Sequence, residues 1–289
     1  MVTIPGRKLC LETCSKTLNI DVSYTKPSRC PFMKPYFKNL YLIACLALAL
    51  TSCSKVYTPA LFHQDIAYMP KPASFDSVGT MVYVSVGGNV HPDLHLEDML
   101  YSGQANLSVG HRFNGFNLAY GAFAELGNYR SGNQNTTDPN YFSNLSFGAV
   151  GGRFSANLYK KMPNADFRYI GIEAAYSHEF GDFATFKKRT YNNSDFYIDP
   201  RINLFSVGLT TEVIFHSTSN PDLRHGLRGF LGVTLGHNEL NNTYYSDDEA
   251  SEKLFREIFP KFSYFINYRH IFGVIDVGSG FMGRVGYRF

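Results

Sequence analysis

Residues 280–289 read Gly-Phe-Met-Gly-Arg-Val-Gly-Tyr-Arg-Phe. Successive side chains of an extended strand point to opposite faces. Phe281, Gly283, Val285, Tyr287 and Phe289 therefore share one face, and Met282, Arg284, Gly286 and Arg288 share the other. An apolar face backed by small and charged residues marks a strand that separates two unlike environments.

The same alternation recurs through the preceding two hundred or so residues. Met81 to Val86 is a β-favouring run, and Ala105, Leu107 and Val109 oppose Asn106, Ser108 and Gly110. Asn114-Gly115 is a strong hairpin signal. Leu118, Tyr120, Ala122, Ala124 and Leu126 then oppose Asn117, Ala119, Gly121, Phe123 and Glu125. Further strands are expected over 143–158, 168–180, 205–215, 227–236 and 262–269, the last two with Arg228 and Arg269 on their polar faces. With the terminal stretch this gives nine, an odd number. A single-chain bacterial barrel normally has an even count, so eight strands, or ten with Ile271 to Val277 added, are both open. The connections expected at 89–101, 130–140, 182–200 and 240–260 are long, and those at 113–115, 159–166 and 218–225 are short. A short helix is expected within the acidic stretch near Asp247 to Phe259.

Composition agrees with a β protein. The chain holds 20 Tyr, 25 Phe and 25 Gly but no Trp, a mixture suited to pleated surfaces and poor for helices. The net charge of +3 is concentrated early: residues 1–52 carry seven Lys or Arg and two Asp or Glu, leaving 20 basic and 22 acidic residues beyond. That balance gives no electrostatic case for nucleic acid. Cys10, Cys14, Cys30, Cys45 and Cys53 are the five cysteines, and none follows Cys53. The chain after it can form no internal disulfide and no thiolate metal site.

Met33, Lys34 and Lys38 precede an almost wholly apolar run from Leu40 to Leu50, followed by Thr51-Ser52-Cys53. A basic start, a short apolar run and small residues before a cleavage point make a secretory signal. The last four residues match the bacterial lipoprotein motif, which implies that Cys53 is acylated and becomes the new N-terminus. Ser54 after it resembles the outer-membrane sorting choice. Residues 1–32 are then upstream of the true start, 33–52 are the signal, 53–78 are an acylated tether broken by Pro59, Pro70 and Pro72, and 79–289 are the β-domain. The tether could cross a barrel mouth, thread the interior as a plug or simply link anchor to domain.

Sidedness follows from lysine usage. No Lys lies between Lys71 and Lys160, and the polar strand faces are built from Gly, Ser, Thr and Asn. A Lys on the lipid face at mid-bilayer costs roughly 2–4 kcal/mol, whereas small polar residues suit a narrow barrel interior. Glu125, Glu173, Glu212, Arg228, Arg269, Arg284 and Arg288 are expected inside as a mutually paired network, since an unpaired buried charge is costly.

The terminal stretch, with aromatics at alternate positions up to Phe289, resembles the closing strand of bacterial outer-membrane β-barrels. The resemblance implies an all-β fold, an antiparallel up-and-down β-barrel of 8–10 strands spanning the membrane. It also implies that Phe289 is read by the barrel-insertion machinery, and that outer-membrane lipid is the immediate partner.

Sites of chemistry are sparse. Gly278-Ser-Gly280-Phe-Met-Gly283 has the letters of a dinucleotide fingerprint but is followed by a strand, where the motif needs a helix. It reads as a tight turn. His91, His95, Glu97 and Asp98 are possible metal ligands without a recognised frame. His216, with Ser217 and Ser219, bears a faint resemblance to outer-membrane lipid A deacylases; the neighbouring Asn220-Pro221-Asp222 does not reproduce that family's surroundings. No catalytic residue, metal or cofactor is assigned. The function expected is structural or interactive: loop display, scaffold or narrow pore. The alternatives are a lipid-anchored soluble barrel for a small apolar ligand, and an acyl hydrolase.

Overall fold

The computed structural model describes residues 56–93, 98–132, 142–191, 197–217, 220, 222–235 and 258–289. The upstream residues 1–32, the signal 33–52 and Cys53 lie outside the described residues. So does most of the helix expected near 247–259, whose last two positions, Ile258 and Phe259, instead open a strand.

In chain order the elements are β1 Val56–Tyr57, β2 Thr80–Asp93, β3 Asp98–Arg112, β4 Phe116–Arg130, β5 Asn144–Lys161, β6 Ala165–Phe180 and α1 Asp182–Thr190. They continue with β7 Tyr197–Ile198, β8 Asn203–His216, β9 Leu223–Leu235, β10 Ile258–Tyr268, β11 Ile271–Val277 and β12 Phe281–Arg288. Ten of the described strands, β2 to β6 and β8 to β12, form a closed antiparallel barrel in which each pairs with its neighbours in sequence. The terminal strand closes the wall by pairing with the first barrel strand, from Phe281 with Val90 to Arg288 with Tyr83. Closure gives every wall strand a neighbour on both sides. Ile271–Val277 is thus the tenth strand, joined to β10 by the two-residue turn 269–270.

The alternation maps onto the two faces. Leu231 and Leu235 are 54% and 47% exposed on the outer surface, while Glu173 and Glu212 are each 2% exposed. Val86, Leu107, Leu126, Ile172, Leu209, Phe262 and Val285 stand on the same outer surface. Charges and small residues point inward together with a few rings, Phe123, Phe230, Phe265 and Phe272, while most of the large apolar side chains point out.

The barrel has two unlike ends. At one, which we call the turn end, strands are joined by residues 113–115, 162–164, 217–222 and 269–270. Gly115 takes φ 76° in the first of these, a left-handed conformation that Gly adopts without a Cβ clash. At the other, the loop end, the connections are 94–97, 131–143, 181–202, 236–257 and 278–280. Helix α1 lies in the third of these, and β7 there pairs in parallel with β1.

Two expectations are corrected. The long connection expected at 89–101 shrinks to 94–97, because β2 and β3 stay in register through His91–Leu100 and Pro92–Met99. Pro92 is tolerated because β2 has already left β12 at Val90, so its other side is an edge there. Arg269 is not interior. It occupies the turn after Tyr268 with φ 53°, is exposed, and pairs with Asp222 on the adjacent turn at 3.1 Å. A two-residue hairpin ends the strand alternation one residue before it.

Candidate functional site: the plugged lumen

The stretch expected as a tether runs through the barrel. From Tyr57 to Ala73 all but a few residues are buried, although a Pro-broken segment of this kind has no ladder of its own. The wall supplies the partners that its backbone needs. In chain order those partners descend from the loop end to the turn end.

At the loop end Tyr57 sits in an aromatic cluster with Tyr129, Phe142 and Phe186, at centroid distances of 5.7–6.1 Å. Edge and tilted ring pairs of this kind are favourable beyond the area they bury. The Asp199 N–H donates to the Tyr57 carbonyl at 2.9 Å, and the Ala60 N–H donates to Glu179 at 2.5 Å. Glu179 also holds Lys187 of α1 at 3.0 Å. Burial pulls the Lys187 ammonium below its ordinary pKa, and the Glu179 carboxylate opposes that pull. His63, at φ 60°, is sandwiched between Phe62 and Phe259 with centroids 3.9 and 4.3 Å away.

In mid-barrel the wall's cations bind backbone carbonyls. Arg153 Nε donates to the Asp65 carbonyl at 2.6 Å, Lys261 Nζ to that of Ile66 at 2.7 Å, and Arg284 Nη2 to that of Tyr68 at 2.8 Å. The Tyr68 hydroxyl donates to Glu212 at 2.8 Å while its ring stacks on Phe265 at 4.4 Å.

Below this, Lys71 Nζ donates to Ser155 Oγ at 2.7 Å and lies 3.9 Å from Glu212. Arg168 binds Glu212 at 2.8 Å and reaches the carbonyls of Lys71 and Pro72 at 3.2 and 3.1 Å. Gly110 leaves the room that Pro72 needs: a Cβ there would meet Pro72 Cδ at 2.9 Å. At the turn end Ser74 donates to Asp166, Arg112 donates to the Ser74 carbonyl, and Asp76 pairs with Arg224 and Arg288. Beyond it Thr80 starts β2.

The residues expected in an interior network are distributed as follows. Glu173 is bound by Arg228 through two guanidinium nitrogens, a bidentate fork of the strong kind. Arg284 pairs with Asp276 at 2.9 Å, and Glu212 with Arg168 and Lys71. Glu125 accepts from Ser102, Gln104 and Asn89. Arg288 is half-buried at the turn end on Asp76, and Arg269 stands outside as described. Phe289 is exposed, with its N–H bonded to the Val82 carbonyl at 2.9 Å.

The residues that hold the segment were largely missed. Arg153 and Lys261 obey the alternation of their strands and were legible by parity. Arg168 and Asp166 were not: strict alternation puts them beside Ile170 on the outer face. A register shift between Arg168 and Gly171 turns both inward. Lys71 lies in a stretch without period, which gives no signal at all.

The other candidate chemistry is dispersed. His91 Nδ1 is 2.8 Å from the Ser279 carbonyl oxygen, and Asp98 accepts from the Gly132 N–H at 2.6 Å. His95 and Glu97 lie outside the described residues. His216 leans on the Phe75 ring at 4.6 Å, while Ser217 Oγ accepts from the Asn220 N–H; Ser219 lies outside the described residues. Gly278 N–H donates to the Gly280 carbonyl in a tight turn, and β12 follows.

No family model matches this sequence, and no curated protein matches it. Among solved structures the chain is similar to an outer membrane channel from Pseudomonas putida F1, with 10% identity over 76% of this chain and 99% of that one, at a TM-score of 0.37. It is also similar to the outer membrane protein OprG from Pseudomonas aeruginosa, with 13% identity over 73% and 96% at a TM-score of 0.33. A third is Neisserial surface protein A, with 11% identity over 73% and 96% at 0.31. At these values the likeness carries nothing about what this chain binds or moves.

Proposed function

We propose that this chain is an outer-membrane β-barrel, acylated at Cys53, whose lumen is occluded by its own N-terminal segment and whose role is structural or interactive. The observation that carries the reading is the division of the wall: large apolar side chains outside, and paired charges inside around residues 57–76. An outward belt containing Leu126, Leu209, Leu231, Phe262 and Val285 is a poor surface for water and a good one for acyl chains. With the lumen filled, loop display or scaffolding is favoured over a diffusion pore. The unequal ends favour the same orientation, since outer-membrane barrels carry short turns on the periplasmic side and longer loops outside. Phe289 at the turn end is compatible with recognition by the insertion machinery from that side.

Fractionation of the Cys53→Ala protein tests this. An integral wall stays in the outer-membrane fraction without its acyl chains, and its unboiled gel band still migrates differently from the boiled one. Recovery of Cys53→Ala as a soluble protein would instead support a lipid-anchored soluble barrel.

A further inference from the structure

The direction of threading fixes where the start of the mature chain emerges. The segment enters at the loop end, where Val56 and Tyr57 pair with Tyr197 and Ile198 in the connection 181–202. It leaves at the turn end, where Asp76 meets Arg224 and Arg288 and β2 begins. The contacts between follow one order down the barrel: Glu179 for Ala60, Arg153 for Asp65, Glu212 for Tyr68, Arg168 for Pro72 and Asp166 for Ser74.

We propose that the acyl chains on Cys53 are seated in the outward-facing leaflet of the outer membrane, delivered to that side by residues 57–78 threading the barrel. This rests on the reading that Cys53 is acylated and that the loop end faces out. Cys53 precedes Val56 by three residues. A fully extended chain covers about 3.3–3.6 Å per residue, so Cys53 stays within about 11 Å of Val56. The apolar band of a barrel is about 25 Å tall. Acyl groups starting at the loop-end mouth therefore meet the outer leaflet, and the inner leaflet is beyond the reach of that linker. A tether hanging on the periplasmic side would have required residues 57–73 to leave the lumen. It would have stripped Arg153, Lys261 and Arg284 of the carbonyls they bind. The barrel is thus pinned to the membrane from outside by its own leading end, beside the loops it displays.

The test uses the absence of any cysteine after Cys53. In intact cells a membrane-impermeant maleimide is applied to the full chain carrying Lys55→Cys, Lys188→Cys or Asn164→Cys. Each variant is first shown to keep the wild-type difference between boiled and unboiled bands. Lys188 is exposed on α1 at the loop end and Asn164 is exposed in a turn-end connection. The expected result is labelling of Lys55→Cys and Lys188→Cys in intact cells, with Asn164→Cys labelled only after permeabilisation. Lys55→Cys behaving like Asn164→Cys would overturn the proposal even with Cys53 acylated. Mass spectrometry of the N-terminal peptide separates the two readings: an unmodified Cys53 would overturn the acylation reading, and the acyl placement with it.

Discussion

The upper and lower halves of the threaded segment are both held by charged side chains and rings, but in different proportions. Residues 57–66 pack mainly on rings: Tyr57 among Tyr129, Phe142 and Phe186, and His63 between Phe62 and Phe259. Residues 68–76 are held mainly by charge, with Lys71, Arg168 and Glu212 in one buried group and Asp76 facing Arg224 and Arg288 in another. The upper half lies at the loop end, where Phe142, Phe183, Phe186 and Ile198 supply apolar cover. The lower half lies where turns are too short to cover anything, and the wall's own charged side chains close the barrel. A buried ion pair is no sure source of stability, but it imposes a register that greasy contacts do not. The lower half thus fixes which residue sits at which height.

Removing both halves has the largest expected effect. Deletion of residues 57–76 should leave a barrel that still inserts and gives steady current in planar bilayers, where the full chain should give none. No current from the deletion would mean that the wall's side chains fill the lumen unaided. Breaking the lower half alone comes next. Arg168→Ala leaves Glu212 with the Tyr68 hydroxyl and the more distant Lys71 ammonium, and loss of one partner from a buried pair costs about 3–5 kcal/mol. The midpoint for loss of the folded band in urea should fall accordingly. The smallest effect belongs to the exposed turn pair outside the lumen. Arg269→Ala should leave that midpoint unchanged within error, because exposed ion pairs are screened by water and salt. A large shift there would mean that the turn-end charges act as one group with the interior set.

Much of the wall was legible in the sequence, and the plug was not. Strict alternation placed Glu125, Glu173, Glu212, Arg228 and Arg284 on polar faces, because a closed barrel leaves each residue only two directions to point. It failed where the backbone leaves that rule: at the irregularity after Arg168, which turns Arg168 and Asp166 inward, and at the hairpin that throws Arg269 out. It failed also at 89–101, where a long connection is expected and β2 and β3 instead stay paired through Pro92 and Met99, since nothing local tells an edge from a central position. Residues 57–78 carry no period because they bind side chains from many different strands rather than pairing with one neighbour. Their course is set by Arg153, Lys261, Arg284 and Arg168, which are remote in sequence.

The chain contains no tryptophan, so a single introduced Trp reports without background. Leu209 on β8 points outward, and Phe230 on β9 points inward. They sit at nearly one height, since Thr210 pairs with Phe230. With the protein in bilayers of brominated lipid, Leu209→Trp fluorescence should be strongly quenched and Phe230→Trp fluorescence nearly untouched. Quenching of Phe230→Trp with a bright Leu209→Trp, or equal quenching of both, would contradict a wall that is greasy outside and filled within.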